Sequence, residues 1–387
     1  MSIANSLSEL LNRLRILRKQ AGISTTELEE ALILGPGWVS RFESGESIPS
    51  LDVLLSMLFR IGYGLPDLIK DIEIKEVPEI KRQIYAEPKK NNLIINFPYG
   101  NFNAQYTLKN ARLTEFDTIL KELRDGLSLL VLPNTIDIEA IKTDAVAKTF
   151  LKAIHIWPHA NPSDIWWFLI YRAYCDPFNH PAPYARLDFN QSWKRTGGWA
   201  LEEVLVRHYG PFLREKDINI FIASAECKSQ FLNQLDITER LEAAKVDILL
   251  TGLFNEKEIL FGVVHVKSSF AERRTDDVPM SRALIKAGYT SPLWTLDCKS
   301  TPSNNPYNKG ELGIIISEVD DKRSAKRKDI EDDGYFSACF SYNKNTKPTP
   351  DTQNSRAKII CCDFSNPNDK FSQFIISEWY RFQKMIT

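Results

Sequence analysis

The sequence predicts an α/β protein of several domains, in which an all-helical amino-terminal domain precedes a larger domain of mixed helices and strands. Its 387 residues exceed the usual size of one domain, so two or three domains are expected. Residues 8–62 show only short helical patterns, whereas helix and strand patterns alternate from residue 197 onward. We therefore divide the chain into a helix-turn-helix domain (1–72), a linker (73–91), a small hairpin-plus-helix module (92–131) and an α/β domain (132–387).

Composition and charge indicate a folded protein and leave its partner open. Apolar residues make up 43% of the chain and charged residues 26%, which excludes a mostly disordered or low-complexity protein. The 49 basic and 50 acidic residues nearly cancel, so any nucleic-acid surface must be a local patch. We find neither a secretory leader nor an apolar run of about 18 residues, the length of a membrane span. The six cysteines lack metal-binding spacing, and a reducing cytoplasm is expected.

The amino-terminal domain is predicted to contain four or five short helices. Leucines repeat with helical period over residues 8–20, and Ser24 followed by Glu27 forms a capping box that begins a second helix. Gly35-Pro36-Gly37 opens a short third helix, and Ser50 begins a fourth. A tight turn between the second and third helices is the arrangement that presents a short helix to the DNA major groove.

The segment from Leu14 to Asp52 resembles helix-turn-helix domains of the phage-repressor (XRE-like) type. The resemblance implies that the third helix reads DNA and that threonines at the start of the second helix touch the backbone or base edges. The implied DNA-binding residues are Thr25, Thr26, Gly37, Trp38, Ser40 and Arg41. Residues 1–72 carry seven basic and nine acidic side chains, and the positive cluster comprises Arg13, Arg15, Arg18 and Lys19. The alternative is therefore a domain that mediates dimerisation or other protein contacts.

The larger domain places a carboxylate and a lysine on two neighbouring predicted strands. Asp247 lies in a strand at 246–250, and Lys267 follows a strand at 259–266. In an antiparallel pair, the start of one strand lies beside the end of the next. The carboxylate can hold Mg²⁺ on a phosphodiester oxygen, and the lysine can orient or activate the attacking water. The alternative is a structural ion pair at a sheet edge.

A second carboxylate is expected from the helix at 201–209. Helical spacing pairs Glu203 with Arg207 on the solvent face, which leaves Glu202 to point toward the sheet. Two other placements have similar patterns. Glu226-Cys-Lys228 follows the first strand, and Asp277 lies twenty residues before Asp297-Cys-Lys299, but Asp277 is interpreted as the N-cap of a helix.

Other polar and aromatic groups are assigned to structure. Three histidines, His155, His159 and His180, lack metal-ligand spacing and are expected in the core or on the surface. The aromatic cluster of Trp157, Trp166, Trp167 and Tyr171 could stack on bases, but packing in a helical core is favoured. Residues 322–333 are expected to form a charged surface loop.

The order of helices and strands over roughly residues 140–310 resembles the PD-(D/E)xK nuclease superfamily. The segments 192–202, 265–278 and 293–299 resemble type II restriction endonucleases of the AgeI and BsaWI kind, which implies a restriction-endonuclease-like core with a mixed central sheet. The resemblance implies a catalytic set of Glu202, Asp247 and Lys267, with Asp247 and Glu202 as ligands of Mg²⁺. His265 occupies the position of the superfamily's usual second carboxylate, so Glu202 or water must complete the site. The implied base-reading residues are Glu272, Arg273 and Arg274.

The function implied is Mg²⁺-dependent, sequence-specific cleavage of double-stranded DNA at a palindrome centred on CCGG. A twofold target contains two equivalent scissile bonds, so a homodimer is the expected assembly. Two alternatives remain: a helix-turn-helix transcriptional regulator with a non-catalytic sensor domain, and a structure-selective repair nuclease.

Overall fold

The structure is a computed structural model that describes residues 3–70, 80–132, 137–233, 235, 237, 246–269, 274–299, 308–312 and 323–387. The chain forms two compact units, residues 1–79 and 80–387, and each unit has its own hydrophobic core. The predicted domain limits stay predictions. Among the helices described, none is long and apolar enough to span a bilayer.

The described residues of the first unit, 3–70, are all-helical, as predicted. Its helices are α1 (Ile3–Gln20), α2 (Thr25–Ala31), α3 (Trp38–Ser44), α4 (Leu51–Arg60) and α5 (Leu65–Ile69). The Ser24 capping box is present at the start of α2, and Gly45 ends α3 in the left-handed region with a φ of 80°. Glu29 is buried and accepts hydrogen bonds from the backbone N–H groups of Gly37 (3.1 Å) and Val39 (2.9 Å), which fixes the start of α3 against α2.

The second unit begins with a three-stranded antiparallel sheet packed against helices. Its first elements are β1 (Tyr85–Lys89), β2 (Asn92–Tyr99), β3 (Phe102–Lys109) and α6 (Leu113–Ser128). Strand β1 lies inside the predicted linker. It is an edge strand with mostly exposed side chains and a proline, Pro88, so it lacks the apolar alternation that predicts a strand. The sheet and α6 share one hydrophobic core with the helices that follow.

A helical layer follows this sheet and supports the larger one. It comprises α7 (Ile138–Ile156), α8 (Pro162–Asp164), a π-helical segment (Ile165–Ile170), α9 (Tyr171–Cys175) and α10 (Phe189–Arg214). The predicted packing of aromatic side chains is confirmed: Trp157 and Trp166 are buried, while Trp167 and Tyr171 pack against the same core. Helix α10 contains Glu202 near its centre, and its buried face packs on the central sheet.

Within the described residues the central sheet has six strands and is mixed, as predicted. Its strands are β4 (Ile218–Phe221), β5 (Ile248–Phe254), β6 (Lys257–Lys267), β7 (Leu293–Thr295), β8 (Cys339–Ser341) and β9 (Ile359–Cys361), in that order across the sheet. The β4–β5 and β5–β6 pairs are antiparallel, and the pairs from β6 to β9 are parallel. The remaining helices are α11 (Ala225–Asn233), α12 (Arg274–Lys286), α13 (Ala325–Glu331) and α14 (Lys370–Ile386). A further strand predicted at 313–317 lies outside the described residues.

The expectation of a charged loop at 322–333 is wrong for its central part, which forms α13. Within this helix Arg327 and Glu331 are fully buried and form an ion pair of 3.1 Å. The Arg327 guanidinium also donates to the carbonyl of Lys347, and Glu331 accepts a hydrogen bond of 2.6 Å from Thr349. These bonds satisfy both charges, so residues that composition assigns to solvent are part of the interior.

Candidate active site

The structure brings Asp247 and Lys267 into direct contact at one end of the central sheet. Ile248 pairs with Val264 across the β5–β6 ladder, which places Asp247, just before β5, beside the last residues of β6. Asp247 Oδ2 accepts hydrogen bonds from the Lys267 Nζ (2.7 Å) and from the backbone N–H of Val266 (2.8 Å). The two side chains are only 15% and 13% exposed, so the ion pair is shielded from most of the solvent.

Lys267 is held between two carboxylates. Its Nζ lies 2.7 Å from Asp247 and 3.2 Å from Asp277. Burial alone would lower the pKa of Lys267, but the charges of Asp247 and Asp277 outweigh this effect, and its pKa is raised. The lysine is therefore a cation at neutral pH.

Asp277 is a residue of the site that sequence reasoning placed elsewhere. We expected it to cap a helix, but α12 begins at Arg274, so Asp277 lies within the first turn of the helix. Its side chain is 7% exposed and contacts Lys267. In the sequence, two adjacent acidic residues stand near the start of this helix. Such a residue can either cap the helix or direct its carboxylate into the protein, and only the position of the helix start decides between these two roles.

Glu202 faces the same end of the sheet from α10. Burial, followed by the negative charge of Asp247, raises the pKa of Glu202 to about 8, while Lys228 and Lys267 act in the opposite direction. Within the described part of the chain, no hydrogen bond to the Glu202 carboxylate is present. Glu203 instead forms the predicted ion pair with Arg207 at 2.8 Å, about one-third exposed. The structure thus separates the two neighbouring glutamates as the helical spacing predicts.

The competing placements are divided: Asp277 and Lys228 lie beside this site, whereas Glu226 and Asp297 have other surroundings. Glu226 is exposed on α11, and Lys228 donates to the carbonyl of Val246 at 2.6 Å. Asp297 is buried after β7, where it accepts hydrogen bonds from Thr346 Oγ1 and the Glu311 N–H, both at 2.5 Å. Burial raises the pKa of Asp297 to about 6. Through these hydrogen bonds Asp297 holds together the segments that contain Glu311 and Thr346.

His265 is a buried, neutral side chain. Its Nε2 lies 3.0 Å from Ser291 Oγ, and its ring packs edge-on against Phe336. Burial lowers the pKa of His265 to about 4. Among the residues that the structure describes, no group of three or more His, Cys, Asp or Glu side chains is arranged to hold a metal ion.

The predicted base-reading segment is only partly described. Glu272 and Arg273 lie outside the described residues. Arg274 is the first residue of α12, and its side chain is not described. The roles of these three residues stay predictions.

The predicted DNA-reading residues of the first unit lie at the starts of α2 and α3. Thr25 is half-buried, and the other side chains of the set, at Thr26, Trp38, Ser40 and Arg41, are exposed. Gly37 precedes α3 and has a φ of 79°, a left-handed conformation that favours glycine.

The predicted positive cluster on α1 loses one member. Arg18 is buried and forms an ion pair with Glu43, with Nε 2.6 Å from Oε1. Arg41 stacks on the exposed Trp38 ring, with its guanidinium carbon 4.9 Å from the ring centre. These two residues on α3 offer a cation and an aromatic face to solvent.

Comparison with known proteins identifies the class of each unit. A helix-turn-helix domain model matches residues 9–67. The crystal structure of the specific restriction endonuclease AgeI–DNA complex superposes with a TM-score of 0.63 and 32% identity, covering 74% of this chain and 99% of that one. The pre-specific restriction endonuclease BsaWI–DNA complex gives a TM-score of 0.33 at 18% identity, over 70% of this chain and 95% of that one. The AgeI superposition shows that the α/β core is restriction-endonuclease-like.

Sequence similarity narrows this class to a family. The chain is 37% identical over 243 residues to the type II restriction enzyme AgeI of Thalassovita gelatinovora. This alignment covers 61% of this chain and 84% of that enzyme. The chain belongs to the type II restriction enzymes.

Proposed function

We propose that this enzyme hydrolyses phosphodiester bonds of double-stranded DNA in a Mg²⁺-dependent reaction at a palindrome centred on CCGG. The observation that carries the proposal is the convergence of Glu202, Asp247 and Lys267 at one end of the central sheet. The AgeI structure, a DNA complex, supports the substrate. Six free cysteines fit a cytoplasmic enzyme, and the twofold symmetry of a palindrome favours a homodimer.

Glu202 and Asp247 would hold the metal ion. Magnesium in nucleic-acid enzymes is commonly bound by one or two carboxylates together with water and substrate phosphate oxygens. Glu202 fits this role because its carboxylate is destabilised by burial and by Asp247, and a divalent cation would relieve that repulsion. When bound, the ion would polarise the scissile phosphate and lower the pKa of the attacking water.

Lys267 would act as a fixed cation rather than as a general base. A base must be neutral when it accepts a proton, but Asp247 and Asp277 keep the lysine protonated at neutral pH. Its ammonium group can donate to the attacking water or to a nonbridging phosphate oxygen, where it stabilises developing negative charge. We assign Asp277 the role of a positioning residue, which keeps Lys267 charged and oriented through the 3.2 Å contact.

Sequence reading would be divided between the two units. Arginine forked onto guanine, and a carboxylate that accepts from cytosine N4, are suited to a CCGG target, and Arg273, Arg274 and Glu272 supply these groups. The exposed residues of α3, Trp38 and Arg41 among them, would bind flanking DNA.

The test is cleavage of mixed-sequence plasmid DNA with and without Mg²⁺. Discrete fragments whose ends map to CCGG-centred palindromes are expected, and duplexes with a scrambled centre should remain intact. Lack of cleavage with Mg²⁺ present would contradict the catalytic proposal. Discrete fragments that map to other sequences would contradict only the proposed target.

A further inference from the structure

Helix α4 of the helix-turn-helix unit presents an apolar column to solvent. Its core face contains Met57 and Leu58, which are fully buried. Beside this core face, Leu51, Leu55 and Phe59 are 62%, 41% and 83% exposed. Their spacing of four residues aligns them along one side of the helix. A groove of about 460 Å³ runs beside this column and is lined by Leu32, Leu55, Ser56, Phe59 and Arg60.

A polar column lies beside the apolar one. It consists of Asp52, Ser56 and Arg60, which have the same four-residue spacing and are all exposed. Within the described part of the chain, neither Asp52 nor Arg60 forms an ion pair. The helix therefore has a negative charge near its start, a small residue at its middle and a positive charge at its end.

This pattern is complementary to itself. If two copies of α4 pack antiparallel about a twofold axis near Leu55 and Ser56, Asp52 of each copy lies opposite Arg60 of the other. The same rotation brings Leu51 of one copy to Phe59 of the other, so the apolar columns also meet. Ser56 at the axis allows the two helices to approach closely. A parallel arrangement would instead align like charges.

We propose that α4 is a pairing surface at which two copies of this chain associate through their helix-turn-helix units. The occupant of the groove is the Leu51 and Leu55 edge of the second copy. This inference deepens the proposed homodimer and rests on it, because it gives that dimer a contact outside the endonuclease core. The contact involves one face of a ten-residue helix, and interfaces that small are weak alone. Pairing is therefore expected to be weak but measurable in the free protein at high concentration, and to strengthen when two chains occupy one DNA.

Charge reversal in the full-length chain tests the pairing by sedimentation equilibrium without DNA or Mg²⁺. Asp52→Arg and Arg60→Asp should each weaken self-association by about tenfold or more, because each change replaces two attractive contacts by two repulsive ones. Mixing the two single variants should restore association, since each mixed pair regains both contacts. The control, Glu46→Arg, makes the same charge change at an exposed residue outside α4 and should behave as the wild type.

Cross-linking checks the twofold axis independently. Ser56→Cys should give a disulfide-linked dimer under mild oxidation, whereas Ser44→Cys, at an exposed serine of α3, should not. A monomeric wild type, single charge variants that associate as the wild type does, or a mixture no tighter than its components would each overturn the inference. The last result would mean that the face binds its own chain or another protein.

The outcome is separable from the proposed nuclease function. A chain that pairs but does not cleave DNA retains the pairing surface and refutes the catalytic proposal, and a chain that cleaves without pairing does the reverse.

Discussion

Replacement of Glu202 by glutamine tests whether this residue is the second metal ligand. Its pKa is raised to about 8 from the 4.5 of an ordinary glutamate. At about 1.36 kcal/mol per pKa unit, ionisation of this half-buried side chain costs on the order of 5 kcal/mol. A metal ion must overcome that cost, so its binding is coupled to the loss of one proton.

The expected signature is a pH-dependent requirement for Mg²⁺. With a pKa of about 8, only about one-tenth of Glu202 is ionised at pH 7 in the metal-free protein. The Mg²⁺ concentration for half-maximal cleavage should therefore fall by about tenfold per pH unit between pH 6 and 8 and level off above pH 8. Glu202→Gln should lose cleavage at every pH, because glutamine cannot supply the charge. Single-turnover cleavage across a grid of pH and Mg²⁺ concentration measures both effects.

Glu203→Gln is the matched control on the same helix. The Glu203→Gln substitution removes only a partly exposed ion pair with Arg207, worth roughly 0.5 kcal/mol. This variant should therefore keep the wild-type cleavage rate and pH profile. An inactive Glu203→Gln variant with an active Glu202→Gln variant would refute the placement of the metal. A Mg²⁺ requirement that does not change between pH 6 and 8 would refute the coupling to Glu202.

Three further predictions concern the same site and the residues proposed to recognise the DNA sequence. Asp247→Ala and Lys267→Ala should each lower the single-turnover rate by about a thousandfold or more, while gel-shift affinity for uncleaved DNA is retained. Without divalent ions, the free energy of unfolding should fall as pH rises from 6.5 to 8, because Glu202 retains a proton in the folded chain that it has lost in the unfolded chain. Denaturant titration at several pH values measures this fall, and the Glu202→Gln variant should not show it. Arg273→Ala or Arg274→Ala should abolish specific cleavage, since each guanine contact contributes roughly 1–3 kcal/mol and occurs twice in a symmetric site. A chain that starts at residue 76 should instead give the same fragments as the full-length chain, with lower DNA affinity.

Local rules were sufficient for the helices of the first unit. Ser24 and Glu27 identify the start of α2, and Gly45 identifies the end of α3, because each acts through its own turn of backbone. Burial of charge was not predictable in the same way. Arg18 is assigned to a solvent-facing cluster by sequence, but its partner Glu43 is 25 residues away, and only the packing of α1 on α3 brings the two together.

Those parts of the candidate site were predictable in which helical periodicity decides the direction of a side chain. Glu202 and Glu203 differ by one helical position, about 100° of rotation, and the ion pair of Glu203 with Arg207 identifies the outer face. Asp277 was not predicted because its role depends on where α12 begins, and the alternative of a helix cap explains the same residues. Strand β1 was missed because an exposed edge strand has no apolar alternation to detect.

The spacing of twenty residues between Asp247 and Lys267 does not by itself create their contact. From the turn, where Phe254 pairs with Lys257, a regular ladder would place Asp247 opposite Val264. A β-bulge between Leu250 and Thr251 shifts the register by one residue, so that Ile248 pairs with Val264 and Asp247 lies opposite His265 instead. Because side chains alternate between the faces of a sheet, a shift of one residue changes which groups meet. The bulge thus brings the Asp247 carboxylate within reach of the Val266 N–H and the Lys267 ammonium group, and the geometry of the site depends on this irregularity as much as on its charged residues.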